Sequence, residues 1–124
     1  MPSLPESTVE RFINAYNEGD DQALLECCHQ DILVMHHNRG AIFEGKAAFS
    51  GVLEAFKGLL PDKHFYDRRS LFVSGSSVII EHCWSATALD DVPGFGARGE
   101  TIVLDLCTRY TVENGLVREY HDYG

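Results

Sequence analysis

Basic residues are scarce in this chain. Ten Lys and Arg stand against nineteen Asp and Glu, a formal net charge of −9 over 124 residues. A surface that neutralises phosphates needs the opposite balance, so nucleic acid and anionic membranes are excluded as expected partners. No apolar run approaches the ~18 residues of a transmembrane helix. Residues 1–10 have neither the basic start nor the apolar centre of an export signal, so the expected location is cytoplasmic. Cysteine is sparse too: Cys27, Cys28, Cys83 and Cys107 contain no C-x-x-C pair. Free, mostly buried thiols are expected, with neither a disulfide nor a zinc site. Internal repeats and low-complexity segments are also missing. The remainder, 44% apolar and 23% charged, suits a folded protein of one core, and one domain over residues 1–124 is expected.

Ser3 with Glu6 and Ser7 with Glu10 form two overlapping capping boxes. Behind them Val9, Phe12, Ile13 and Tyr16 recur at helical spacing, and Gly19 offers the left-handed residue that stops the helix. Asp20 or Asp21 caps a second, short helix. Ile32 to His37 predicts a strand covered on both faces. A turn at Asn38, Arg39 and Gly40 precedes a third helix with Phe49, Val52, Leu53, Phe56 and Leu60 on one side, ended by Pro61. Segments 64–73, 78–88, 100–112 and 116–123 then read as strands. Helices first and strands later predict an α+β fold with an antiparallel sheet. Gly94, Gly96 and Gly99 match the spacing of a dinucleotide-binding loop. They open into a strand, however, which has no helix N-terminus to cradle a pyrophosphate.

Asn114-Gly115 between two alternating runs predicts a two-residue hairpin turn. Such a turn sets Glu113 opposite Leu116, Cys107 opposite Asp122 and Arg109 opposite Tyr120. One face of the hairpin then gathers Asp105, Cys107, Arg109, Tyr120 and Asp122. That face either points to water or lines a pocket, and periodicity does not choose between them.

The order of elements resembles the nuclear transport factor 2-like superfamily, and within it the SnoaL-like and ketosteroid isomerase-like group. The resemblance is carried by Arg11 to Asp20, Leu24 to Val34, Phe43 to Lys46, and Tyr110 to Val117. It implies a cone: a curved antiparallel sheet wrapped around three N-terminal helices, a roll of the cystatin-like kind, with a pocket between the layers. It also implies a homodimer through the outer sheet face, expected here to bear Trp84, Leu106 and Tyr110. Within this group His36 falls where ketosteroid isomerases carry a carboxylate base. Phe12 and Cys107 fall where they carry oxyanion-hole donors, and neither residue supplies one. SnoaL-like cyclases use an acidic residue as acid/base, and the resemblance implies Asp122 or Asp105 for that role.

The resemblance turns the hairpin cluster toward the pocket. The expected catalytic residues are therefore His36, Asp122 and Asp105. His36 ends an apolar strand and can exchange protons near neutral pH, although it also reads as a core histidine bonded to a carbonyl. Asp105 and Asp122, buried together, would push one carboxyl upward unless Arg109 neutralises it. A metal held by His36, Asp105 and Asp122 is the lesser reading, and no cofactor is expected. Phe12, Tyr16, Val52, Phe56, Glu81, Cys107, Arg109 and Tyr120 are expected to bind substrate, with Glu81 facing the cone and His82 outside it. The pocket would then be apolar on its helical side and acidic on its sheet side. The implied function is a small-molecule acid/base enzyme that cyclises, isomerises, dehydrates or hydrolyses an apolar ring compound. The alternative is a binding module for such a ligand or a partner protein.

Overall fold

In the computed structural model, which describes residues 4–124, helix α1 runs over Leu4–Glu18 and buries Val9, Phe12, Ile13 and Tyr16. Ser7 and Glu10 lie inside it, while the Ser3 box lies outside the described residues. Gly19, at φ +71°, ends α1 in the left-handed conformation expected of it. Asp20 caps α2 (Asp21–Glu26) by accepting a hydrogen bond from the Ala23 amide at 3.1 Å. Strand β1 (Cys28–His36) follows, then a 3-10 turn at His37–Arg39 and a short strand β2 (Ala41–Glu44) not foreseen from the sequence. Helix α3 (Lys46–Leu59) buries Phe49 and Leu53. Strands β3 (His64–Ser74), β4 (Ser77–Thr87), β5 (Thr101–Glu113) and β6 (Leu116–Tyr123) complete the chain. No helix among the described residues is long and apolar enough to cross a membrane.

The six strands form one curved sheet in the order β2-β1-β6-β5-β4-β3. Helix α1 lies across β3, β4, β5 and β6, and α3 lies across β1 and β2, so the core sits between the helices and one sheet face. The fold is α+β as expected, with one departure. Strand β1 runs parallel to β6, while every other pair is antiparallel. These two strands are far apart in sequence, so packing and not a hairpin sets their direction.

The final hairpin turns as expected. Asn114 and Gly115 take φ +54° and +75°, and Glu113 pairs with Leu116 and Val112 with Val117. Arg118 then enters β6 as an extra residue, and pairing resumes one step later with Glu119 opposite Thr111. Asp122 consequently faces Thr108 and not Cys107, and Tyr120 faces Tyr110 and not Arg109. Strand β1 slips at the same level, between Cys28 and Leu33, and the Arg118 guanidinium bonds there to the Asp31 carbonyl.

The inner face of β5 is its apolar one, with Ile102, Leu106, Thr108, Tyr110 and Val112 buried. The inner face of β4 carries Val78, Ile80, His82, Trp84 and Ala86. Trp84, Leu106 and Tyr110 therefore lie in the core, and the outer-face dimer patch built on them does not exist. Phe12 is fully buried, with its ring 6.3 Å from Phe49, 5.6 Å from Tyr110 and 5.5 Å from Tyr120. It ties both helices to the sheet. Phe12→Ala should lower stability by about 3–5 kcal/mol, read as a drop in urea midpoint at unchanged slope.

Candidate functional site

Four polar side chains cross the inner face on four neighbouring strands. His36 closes β1 and stands beside Asp122 of β6, Asp122 stands opposite Thr108 of β5, and His82 projects from β4. His36 Nδ1 lies 3.1 Å from Asp122 Oδ2. The Thr108 hydroxyl donates to Asp122 Oδ1 at 2.6 Å. His82 Nε2 is 2.8 Å from the same hydroxyl. Thr108 has one proton and spends it on Asp122, so His82 must donate through Nε2–H. His36 turns Nδ1 toward Asp122, so that nitrogen donates to the carboxylate and Nε2 is the ring nitrogen not committed to it. The Asp122 side chain is 5% exposed and that of His36 16%. A carboxylate so deeply placed needs partners on both oxygens, and it has them.

Burial pushes the His82 imidazole down to about 4, against the pull of the Asp122 charge and with smaller help from Arg68 and Arg69. Its ring stacks on Phe65 at 4.6 Å. Burial, and then the Asp122 charge, push the phenols of Tyr110 and Tyr120 well up. The Tyr16 phenol is also raised by burial, although the Trp84 hydrogen bond works against this. Tyr16 accepts that bond from the indole N–H at 2.9 Å. Its own proton is therefore free to be donated.

His36, Asp122, Tyr16 and Tyr120 border a cavity of about 30 Å³ between helix and sheet, room for no more than a couple of waters. Phe49, Val52, Leu53 and Phe56 make the helical wall, and Val34, Trp84, Leu104, Leu106 and Tyr120 the sheet wall. Tyr16, His36, Arg39 and Asp122 supply the polar lining, and Phe95 reaches in from the loop between β4 and β5. Of the residues expected to line a pocket, His36, Asp122, Tyr16, Val52, Phe56 and Tyr120 meet here. Phe12 packs behind them.

The others do not reach the cavity. The Asp105 side chain is 79% exposed on the outer face and pairs with Arg69. Cys107 stands opposite Glu81 and Tyr123 on that face, and Arg109 bonds to the Thr111 hydroxyl. The Arg118 bulge is the reason: it turns β6, but not β5, by one residue. Glu81 is exposed and accepts from the Ser70 hydroxyl at 2.6 Å, while His82 is inside, the reverse of expectation. Alternation on β4 was visible in the sequence, and the larger apolar residues Val78, Ile80 and Trp84 share their phase with His82. Counting them would have turned His82 inward. With Asp105 outside, the three-ligand metal reading fails, and among the described residues no three His, Cys, Asp or Glu side chains are placed to hold a metal. All four cysteines are free, but only Cys28 is buried, its thiol pushed up to about 12 by burial. The sheet side is not acidic as expected: it carries one carboxylate, two histidines and a guanidinium at the rim.

The model of the SnoaL-like domain matches residues 9–120 of this chain. No curated protein sequence matches it significantly. Among solved structures, one named as a candidate polyketide cyclase from Pseudomonas putida KT2440 superposes with a TM-score of 0.84 at 24% identity, covering 100% of this chain and 92% of that one. TerC, co-crystallised with polyporic acid, superposes at 0.78 with 19% identity, covering 98% and 91%. A protein of ketosteroid isomerase-like fold from Catenulispora acidiphila DSM 44928, in complex with trimethylamine, superposes at 0.76 with 17% identity, covering 94% and 84%. At these identities the likeness is one of fold.

The buried His82 sets a pH dependence. Its folded value of about 4 lies below the 6.5 of the free side chain, so the unfolded chain binds a proton first as pH falls. The stability it contributes is complete above pH 6.5 and is lost as pH drops toward 4. The loss attributable to this group should be roughly 3 kcal/mol. Urea titrations between pH 7 and pH 4 should show that part of the slope in the native protein and not in His82→Gln.

Proposed function

The chain belongs to the SnoaL-like domain family, and on that premise we propose that it is a small-molecule enzyme of the cyclase and isomerase type. It would act by acid/base chemistry on an apolar ring compound held in the cavity. The observation that carries the reading is the His36–Asp122 contact at the cavity wall. His36 Nε2 takes a proton from carbon or oxygen of the substrate, and Asp122, fixed by Thr108, stabilises the imidazolium that results. Tyr16 donates its hydroxyl proton to the substrate oxygen as negative charge develops there, and the Trp84 N–H behind it strengthens that donation. Burial keeps the phenol protonated for this purpose. His82 holds Thr108, and through it the carboxylate, in place.

Two structural neighbours were crystallised with small molecules, which supports a small-molecule cavity here. The acid–histidine pair at the cavity wall favours the enzymatic reading over a non-catalytic binder of the same shape. A second copy of the chain remains the proposed partner, now through an outer face on which Phe72 and Val103 are 60% exposed and Tyr123 is 40% exposed. Sedimentation at micromolar concentration should give the mass of a dimer, and a monomer throughout would end that proposal.

Proton abstraction next to a carbonyl is checked by loss of deuterium from α-deuterated 2-tetralone, an apolar ring ketone. The native protein should accelerate the exchange, and His36→Ala and Asp122→Asn should each reduce it by about 10²–10⁴-fold while the circular dichroism spectrum is kept. Exchange no faster than in buffer, from a protein that binds the ketone, would favour the binding module. Unfolding of Asp122→Asn would make that carboxylate structural.

A further inference from the structure

Arg39 stands on the 3-10 turn between β1 and β2, which Gly40 closes at φ +63°. It is the one permanent cation among the residues that line the cavity. The other guanidinium and ammonium groups seen in ion pairs have carboxylates: Arg68 has Glu10, Arg69 has Asp105, Arg118 has Glu113 and Lys57 has Asp21. No Asp or Glu side chain among the described residues forms an ion pair with Arg39. Its Nη1 donates to a main-chain oxygen of Gly124 at 2.5 Å, while its Nε is buried with no hydrogen-bond partner. Arg39 is partly buried, and its buried Nε–H, left without an acceptor, costs free energy that an incoming acceptor recovers. Asp122, in the same wall, is not that acceptor: its oxygens meet the Thr108 hydroxyl and His36 Nδ1, and it forms no hydrogen bond or ion pair with Arg39.

Phe95 occupies the space beside this guanidinium. The Arg39 carbon Cζ lies 5.2 Å from the centre of the ring. The ring stands edge-on to His36 and to Phe56, each at 5.7 Å, and lies 6.1 Å from Trp84. It is carried by a tight turn in which Val92 and Gly96 exchange backbone hydrogen bonds at 2.8 and 3.0 Å. With Phe95 in place, the remaining 30 Å³ does not admit a ring. A ring entering here must take the position of Phe95, and in doing so it inherits both the aromatic wall and the stacked guanidinium.

We propose that the cavity recognises an aromatic compound bearing a carboxylate or another oxyanion, the anion seated on Arg39 and the ring replacing Phe95 against Phe56 and Trp84. This rests on reading the cavity as a site for a ring compound, and it reverses the neutral or basic ligand that an acidic wall would have favoured. The anion at the rim fixes one end of the molecule and presents its ring to His36.

The test compares 2-naphthoate with its neutral counterpart 2-naphthamide by titration calorimetry at low salt, while the indole N–H resonance of the single tryptophan, Trp84, follows occupancy. In the native protein the carboxylate should bind at least about tenfold more tightly. Arg39→Gln should remove that preference and keep the amide affinity, Arg39→Lys should keep part of it, and Lys57→Gln on the surface should leave it whole. Equal affinities, tighter binding of the amide, or a preference that survives in Arg39→Gln would overturn the proposal while leaving the ring-compound reading intact. If neither compound moves the Trp84 resonance, both fall. The native pair decides the matter even if Arg39→Gln fails to fold.

Discussion

Arg118 has no partner in β5, and the site depends on that one unpaired residue. A strand alternates its side chains with a period of two, so an inserted residue reverses which face every later residue presents. Beyond Arg118, Tyr120 and Asp122 turn inward, and Glu119, His121 and Tyr123 turn outward. Strand β1 irregularly follows the same step, which brings His36 alongside Asp122 in the parallel pair. Without the bulge Asp122 would share a face with Cys107 and Arg109, and the core of the cone would lack its carboxylate.

Putting a carboxylate inside is unfavourable unless both its oxygens are bonded. Thr108 and His36 supply those bonds, and His82 in turn supplies the Thr108 hydroxyl, so each link fixes the proton of the next. The result is a row of groups with defined donors and acceptors across β1, β6, β5 and β4. Burial keeps His82 neutral and the surrounding tyrosines protonated. The imidazole nitrogen at the cavity not committed to Asp122 is Nε2 of His36, and the hydroxyl proton not spent on Trp84 belongs to Tyr16. The same low polarity that makes the row costly to assemble strengthens its hydrogen bonds.

On the outer face the polar groups pair with one another. Arg69 reaches Asp105, and Glu119 bonds to His121, which lowers the Glu119 carboxyl. His37 bonds to His121 at 2.9 Å and stacks on Tyr123. The two adjacent histidines of β1 and its following turn therefore serve opposite sides of the sheet. His36 belongs to the cavity and His37 to the exterior.

Local features of the chain were legible from its residues. Helical spacing at Val9, Phe12, Ile13 and Tyr16 placed α1, Gly19 and Asp20 marked its end and the next cap, and Asn114-Gly115 placed the last turn. These depend on contacts within a few residues, which composition and periodicity report directly. The motifs of the SnoaL-like family added the cone and put His36, Tyr16, Val52 and Phe56 near its interior. What the sequence left open was the phase of the strands. No local signal distinguishes Arg118 from its neighbours, because a bulge is decided by the twist that β1, β5 and β6 must share. Asp105, Cys107 and Arg109 were grouped with Tyr120 and Asp122 for that reason, whereas Glu81 was given the wrong phase on β4, which pairs with β5 without a break. The row from His82 through Thr108 and Asp122 to His36 emerged only when four strands lay side by side, and Arg39 and Phe95 only when a turn and a loop met over the cavity. Side-chain alternation is a property of one strand. Which face becomes the interior is a property of the whole sheet, set by where helices α1 and α3 bury their apolar sides.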